Sequence, residues 1–409
     1  MDEEIRTEVL IAGGGMVGLS LGLALARAGV AVAVVDREAP AAREEEAFDG
    51  RSSAIAHASR RILEGIGVWA DMTGEAEAIL DIRVSDGRVG RPAAPLFLHF
   101  DHRDVATPFG YIVENRVIRR VLGRAVAACP NLRHLAPADL AEAERRPNSV
   151  SARLGDGRRI AARLLVAADG RESRLRREAL IPALRWSYPQ TSIVATVGHE
   201  APHEGVAHEH FLPSGPFAML PMTGLRSSIV WTERRDLAEA MMALEAEDFA
   251  GEVERRFGMS LGRIRLIGRR WAYPLEFVHA ARYADARLAL IGDAAHAIHP
   301  IAGQGLNLGL RDVAALAEAV VDAARLGLDP GEAVVLARYQ SWRRFDSLMV
   351  AAVTDGLNRL FSNDLGPLRL ARDLGLAAVD RMPSLKRFFM RSAMGAVGAL
   401  PRLARGEAL

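Results

Sequence analysis

The residues of this chain best placed to do chemistry are acids at the ends of short apolar runs, each beside glycine. The fullest example runs from Leu288 to Asp312, LALIGDAAHAIHPIAGQGLNLGLRD. A strand-like stretch (Leu288 to Ile291) turns on Gly292 and presents the carboxylate of Asp293. Pro300 and the spaced glycines Gly303, Gly305 and Gly309 then lead into an Ala- and Leu-rich helical run. That order leaves backbone amides unpaired at a helix start and aims them at a ligand. A helix N-terminus favours negative charge, so the ligand expected here is an anion or a ring that becomes one.

Two further turns have the same form. The apolar run Glu8 to Ala12 passes directly into Gly13-Gly14-Gly15-Met16-Val17-Gly18, and Leu19 to Ala28 continues as a helix. This is GxGxxG between strand and helix. Gly13 allows the tight turn, Gly15 lets backbone approach a pyrophosphate, and Gly18 lets helix and strand pack closely. A second strand, Ala31 to Val35, ends in Asp36, at the distance expected for an acid that accepts from ribose hydroxyls. Leu164 to Ala168 runs into Asp169-Gly170-Arg171-Glu172-Ser173. Three such turns in one chain suggest one extended ligand held at several points.

Other elements must position these turns. A loop is expected over Glu38 to Gly50, then Arg51 ahead of a helix over Ser53 to Glu64. Strands leave the nucleotide fold between Ile79 and Phe100, with turns at SDGR and RPAAP. A helix is expected over Tyr111 to Ala128, with Arg116 near its start. Arg51 could reach a phosphate, yet each arginine alone reads equally well as a surface ion pair or a solvated helix face. Gly155-Asp156-Gly157 marks a hairpin. From Ser187 to Trp231 four strands are expected (Thr191 to Val197, Gly205 to Phe211, Phe217 to Leu220, Ser227 to Trp231), an inserted antiparallel sheet suited to a pocket wall. One amphipathic helix, Leu237 to Phe257, and a strand, Arg265 to Tyr273, follow. The last eighty or so residues show helical patterns only. His203, His208 and His210 invite a metal, but no acid or cysteine set completes the spacing. His296 and His299 face the same objection, since Pro300 interrupts any helix that would align them, so no metal is expected.

Composition bounds the rest. With 409 residues, half of them apolar, the chain is long enough for two or three packed units. A formal charge of +1 gives no reason to expect nucleic acid. Lys386 is the only lysine and Cys129 the only cysteine, which excludes an internal disulfide and a cysteine zinc site. The acidic start MDEEIRTE lacks the features of a signal peptide, and no apolar run reaches the roughly 18 residues that span a bilayer. A cytoplasmic protein is expected, at most peripheral on the inner face of the membrane.

GGGMVG, AADGRESRLR and IGDAAHAIHPIAGQGLNLGLRD resemble the three fingerprints of the single-component aromatic flavin hydroxylases, whose fold is that of p-hydroxybenzoate hydroxylase. FLPSGPFAMLPM with SSIVW, and TDGLNRLFSND followed by LGLAAVDRMPSLKRFFMRSAMG, are similar to the UbiH-type hydroxylases of ubiquinone biosynthesis. The resemblance implies an α/β protein: a Rossmann-like FAD-binding fold with an inserted antiparallel sheet and a helical C-terminal region. FAD-binding segments are expected at 1–75, 101–180 and 275–330, a substrate-binding unit at 76–100 and 181–274, and the helical region at 331–409. By the same resemblance Gly13, Gly15, Met16, Val17 and Gly18 bind the FAD pyrophosphate, and Asp36 with Arg37 the adenosine ribose. Arg51 and Arg116 contact FAD, Asp169 supports FAD and NAD(P)H, and Gly292 and Asp293 bind the ribityl and pyrophosphate region. Pro300, Gly303, Gln304, Gly305, Leu306 and Asn307 form the loop against the isoalloxazine ring. The family usually has Glu where Asp36 stands, and either can accept from a ribose.

The reaction implied is hydroxylation of a polyprenyl phenol by molecular oxygen, with NAD(P)H as co-substrate, through a flavin C4a-hydroperoxide. Such an intermediate needs a dry pocket, and no covalent nucleophile is required or visible. Phe211, Phe217 and Met219 are expected to wall the ring opposite the Pro300 to Gly303 turn. The basic, apolar segment 385–403 reads as either a peripheral membrane contact or a helix packed on its own protein. A ubiquinone-biosynthesis complex is a further expected partner. Two other readings stay open: a hydroxylase of a soluble aromatic acid, and a non-catalytic flavin-bound subunit of a biosynthetic complex.

Overall fold

A computed structural model describes residues 4–40, 48–90, 97–362 and 379–409, together with 372 and 375. Most of the expected 38–50 loop, the RPAAP turn, the end of TDGLNRLFSND (Asn363 and Asp364) and most of the start of LGLAAVDRMPSLKRFFMRSAMG lie outside the described residues.

The apolar runs that preceded the three acids are neighbours in space. Val9–Ala12, Val32–Val35, Leu164–Ala167 and Leu288–Leu290 pair in parallel, with Leu132–Leu135 on one edge and Ala284–Asp285 antiparallel on the other. All four carry continuous buried apolar side chains, as strands covered on both faces must. Helices Met16–Arg27 and Gln304–Arg325 pack on this sheet through one large core. Parallel pairing brings the C-terminal ends of three strands, and so Gly13, Asp169 and Gly292-Asp293, to one edge. Ligands bind at such an edge in open α/β sheets.

A second, eight-stranded sheet forms the insert, in the order His296–Ala297, Ile264–Ala280, Ala183–His199, Arg226–Arg234, Gly215–Met222, Val206–Leu212, Asp81–Asp86, Phe97–Asp101. It is antiparallel except where Val206–Leu212 runs parallel to Asp81–Asp86. The two longest strands, Ala183–His199 and Ile264–Ala280, pair along most of their length, and the second runs through the boundary expected at residue 274. The hairpin at Gly155–Gly157 joins Ser149–Leu154 to Arg159–Ala162 as expected.

Three expected helices differ. Ser53 to Glu64 begins as a strand, Ser52–Ala56, and becomes helical only at His57–Gly65. Likewise Tyr111 to Ala128 opens with the strand Gly110–Glu114, ahead of the helix Asn115–Ala127. These two strands pair with each other, so a contact distant in sequence overrode the local helical spacing at both. Leu237 to Phe257 is two helices, Arg235–Ala243 and Ala246–Phe257, separated at Leu244 and Glu245. Among the described residues beyond 331 the regular elements are helices, chiefly Ala333–Phe361 and Pro383–Ala393.

The insert has its own core. Phe217, Met219, Ile193, Ile229 and Trp231 meet Phe249 and Val253 of the covering helix, all at or below 1% exposure. Phe217 therefore supports the fold of the sheet. Replacing Phe217 by Ala should cost about 3–5 kcal/mol in urea unfolding of the insert, and flavin content after purification should be unchanged.

Candidate active site

The first turn is built by close approach. Gly13 has φ +112°, and a Cβ there would strike the carbonyl oxygen of Ala168. A Cβ on Gly18 would strike the carbonyl of Gly13. Helix Met16–Arg27 thus starts hard against the strand ends, while Gly15 is exposed with nothing within 4 Å of where its Cβ would stand. The amides of the first helical turn face that opening. Asp36 is buried and accepts from the N–H of Gly14, and its other oxygen from that of Glu38 at 2.8 Å. Arg37 is exposed beside it. A cavity of about 210 Å³ opens here, lined by Gly14, Gly15, Met16, Glu38, Pro40 and Arg119 among others. Val17 takes a different place: its side chain fills the space over Gly292 and Gly309, locking the first turn onto the last.

Asp169 spends one carboxylate oxygen as a cap, accepting from the N–H of Arg174 at 2.9 Å and of Leu175 at 3.3 Å. Its other oxygen is buried and meets no hydrogen-bond partner among the described residues. Arg176, 4% exposed, donates to the carbonyls of Arg171 (2.9 Å) and Ala294 (2.8 Å), tying the second turn to the third. Asp293 lies deep within the chain, yet its side chain opens onto the cleft. Burial pushes its pKa up, against the opposing charges of Arg171 and His296.

The third turn is held by Asp312, which is fully buried in helix Gln304–Arg325. One oxygen accepts from the N–H of Gly292 (2.9 Å) and from His296 Nε2 (2.6 Å), and the other from Arg343 Nε (2.8 Å). Burial works to raise the Asp312 pKa, but the charges of His296 and Arg343 outweigh it and hold the carboxyl below its ordinary value. His296 is thereby explained as an anchor. His299 meets the ring of Tyr188 edge-on, and His208 and His210 pack against Phe257. Burial lowers the pKa of His208 to about 3 and of His210 to about 4. Among the described residues the groups near enough to share an ion, Asp81, Asp101 and His102, lie elsewhere, and Arg103 already holds Asp101.

At the head of the same helix Gly303 has φ +60°, and its Cα faces Ala54 so closely that a Cβ would lie 2.9 Å from the alanine methyl. The side chain of Asn307, fully buried, accepts from the N–H of Ala56 and donates to the carbonyls of Ala54 and Gly303, each at 2.8 Å. Asn307 thus clamps turn to strand and has no side-chain atom left for a ring. Gly305 is exposed, with open space around it, Gln304 is buried, and Leu306 packs on the large core. Pro300 opens the turn and Ile301 is buried against Phe211 and Phe361. Arg51 pairs with Asp49 at 2.7 Å and lies over Trp271, and Arg116 pairs with Glu114 at 2.6 Å.

Of the three residues expected to wall the ring, only Phe211 faces the turn. Residues paired across neighbouring strands share a face, and successive residues alternate. Phe211 pairs with Pro216, whereas Phe217 and Met219 pair with His210 and His208 on the other face, among Trp231 and Phe249. Phe217 and Met219 are core residues of the insert and not pocket walls. The side chains of Asp312, Arg343 and Arg176 were not anticipated. The sequence signal for Asp312 was an acid inside an otherwise apolar helix, a residue type seldom buried unless paired.

The arrangement fits FAD. Unpaired amides and the bare Gly15 suit a pyrophosphate, Asp293 opens into the cleft, and the helix head at Gly305 suits a ring that gains negative charge. Replacing Asp312 by Ala would leave buried His296 without its partner and Arg343 with Asp346 alone, so urea unfolding should show a loss of about 3–5 kcal/mol, with flavin content falling alongside. Since the folded carboxyl titrates below 3.8, its contribution is complete above that pH and is lost as acid takes it through the folded value. Asp312→Asn should flatten this acid limb of the stability curve.

Comparison with known proteins agrees with this geometry. Residues 6–344 match the FAD binding domain family. Ubiquinone hydroxylase UbiL of Rhodospirillum rubrum is 53% identical over 98% of this chain and 93% of its own length. The 3-demethoxyubiquinol 3-hydroxylase of Escherichia coli is 36% identical over 95% and 98%. Among solved structures, p-nitrophenol 4-monooxygenase PnpA of Pseudomonas putida DLL-E4 superposes with a TM-score of 0.81 at 19% identity, covering 97% of this chain and 100% of that one, a likeness of fold. The chain belongs to the FAD-binding ubiquinone-biosynthesis hydroxylases.

Proposed function

We propose that this chain hydroxylates the aromatic ring of a polyprenyl phenol in ubiquinone biosynthesis, holding FAD across the three turns and drawing electrons from NAD(P)H. Gly13, Gly15, Met16 and Gly18 would hold the pyrophosphate, Asp36 with Arg37 the ribose, and Gly292 and Asp293 the ribityl side. Reduced FAD supplies the activation of oxygen. The protein's part is binding, orientation and exclusion of water. The amides of Gly305 and Leu306 favour negative charge at the ring edge, Asn307 fixes the turn that carries them, and Arg51 and Arg116, paired with Asp49 and Glu114, are the candidate cationic contacts. Asp169, with one oxygen to spare, is the candidate contact for NAD(P)H.

The observation that carries the choice of substrate is the strand facing the turn. Ala207, Glu209 and Phe211 share one face of Val206–Leu212, so the wall opposite Ile301 offers apolar surface and an acid. A soluble aromatic acid would need a cation there, and the nearby Arg372 is already paired with Asp86 at 3.0 Å. A neutral phenol fits. NADPH oxidation with a short-tailed 2-prenylphenol should yield a product heavier by one oxygen, detected by mass spectrometry. Turnover of hydroxybenzoate in preference to the prenylphenol would overturn the substrate, and no phenol-stimulated oxidation at all would favour the non-catalytic subunit.

A polyprenyl substrate must be met at a bilayer or through partners in a complex. No helix among the described residues is long and apolar enough to cross a membrane. Helix Pro383–Ala393 exposes Phe388 and Phe389 beside Arg387 and Arg391, while Met390 and Met394 are buried against Leu98 and Phe100. This combination supports peripheral contact with an anionic inner leaflet. Deleting the segment would open the core at Met390, so substitution is the cleaner test. Phe388→Glu with Phe389→Glu should weaken co-sedimentation with anionic liposomes at least about tenfold, with melting temperature unchanged. Undiminished co-sedimentation would reject the contact.

A further inference from the structure

We infer that Glu209 is the base that takes the proton from the substrate's phenolic hydroxyl, an assignment that rests on the phenol-hydroxylase reading above. Its place is fixed by register. Val206–Leu212 pairs with Asp81–Asp86 on one side and Gly215–Met222 on the other, so that Glu209 stands opposite Val84 and Ala218. Alternation puts it on the face of Ala207 and Phe211, each roughly 7 Å along the strand. Phe211 packs with Ile301 of the ring-facing turn, and Ala207 belongs to the cluster containing Ala54, on which Gly303 rests. Val84 touches both clusters. Glu209 therefore looks across at the Ile301–Gly303 turn from the middle of the wall, where a ring over that turn would present its substituents.

Its surroundings are those of a group awaiting a partner. Glu209 lies deep in the chain, yet its side chain is not fully enclosed. It meets no hydrogen-bond or ion-pair partner among the described residues. A buried carboxyl without partners is costly and is seldom kept unless it is used. Burial alone pushes its pKa up to about 7, near the value at which a general base works best at neutral pH.

The charged groups near it leave it free to titrate. On the same face Asp86 is paired with Arg372, and Arg226, opposite Met222 at the far end of Gly215–Met222, is held by Glu114. Arg83, His208 and His210 project from the opposite face. Ala218 opposite it, and Leu220, Ile301, Leu357 and Phe361 of the clusters on this face, do not ionise. The step balances simply. The phenol O–H bond breaks as the carboxyl O–H bond forms, and the electron pair left on oxygen enriches the ring that attacks activated oxygen. The new C–O bond forms as the O–O bond of the activated oxygen breaks, the departing oxygen leaves as water with the carboxyl's proton supplied through solvent, and the proton lost from the ring carbon as aromaticity returns restores the phenol.

The test compares Glu209→Gln with the wild type on the same short-tailed 2-prenylphenol. In the wild type kcat should rise with pH and level off above about 7. In Glu209→Gln it should fall about 100-fold or more at pH 7, and the rise should move toward the phenol's own ionisation near pH 10. Glu209→Asp should restore part of the rate. A measurement independent of turnover uses the holoenzyme without NADPH. The ultraviolet difference spectrum of bound prenylphenol should show phenolate appearing with an apparent pKa well below 10 in the wild type, and not in Glu209→Gln. A Gln variant with the wild-type pH profile and phenolate signal would overturn the assignment to Glu209 while leaving phenol hydroxylation intact. Wild type that neither turns over nor ionises the phenol would overturn the reading beneath it. If Glu209→Gln does not fold, a wild-type bound phenol titrating near 10 still rejects the proposal.

Discussion

The site depends on one buried carboxylate. Asp312 sits in an apolar helix with no water to share its charge, and its two oxygens are taken up by the Gly292 amide, His296 and Arg343. Each of these comes from a different element: the turn after Leu288–Leu290, the short strand that follows, and the helix Ala333–Phe361. A charge so enclosed is tolerated only when fully paired. The elements around it must therefore keep their places or lose the pairing. With Val17 wedged over Gly292 and Gly309, and Arg176 reaching to Ala294, the three turns are fixed to one another before any ligand arrives. This is preorganisation: backbone amides are held where a pyrophosphate and a ring edge need them, with little left to rearrange on binding.

Sidedness is the second constraint. In a strand, a shift of one residue exchanges the face that meets the core for the face that meets the ligand. His210 and Phe217 lie against the helix Ala246–Phe257 while Phe211 meets Ile301, although the three come from two adjoining strands. The same rule that removes Phe217 and Met219 from the pocket brings Glu209 into it. Apolar character alone could not have told these positions apart, because both faces of this sheet are covered.

How much the sequence disclosed follows from range. The nucleotide turns were legible because strand, glycine and acid lie within a few residues of one another and the geometry they dictate is local. The parallel sheet followed from the same runs, each buried on both faces. What was missed is non-local. Ser52–Ala56 and Gly110–Glu114 carry helix-compatible spacing and became strands because they found each other. The motif points to the backbone amide of Asn307 at the helix head, and nothing local announced that its side chain binds Ala54 and Ala56, some 250 positions earlier. Arg176, Arg343 and Glu209 gave no signal for a similar reason, since their meaning depends on partners, or a lack of them, supplied by distant segments.

The chain enters the insert along Ala183–His199 and leaves it along Ile264–Ala280, and these strands are paired, with Ser192 opposite Tyr273. Entry and exit therefore stand side by side, and the residues between them form a block that Asp81–Asp86 extends on one edge and His296–Ala297 on the other. Such a block can drift or be exchanged in evolution without disturbing Asp312, Val17 or Arg176. The cofactor clamp and most of the pocket wall are thus separately heritable, and one scaffold can acquire new substrates by rewriting strands of the sheet while His296–Ala297 and the Phe211–Ile301 contact hold it to the clamp.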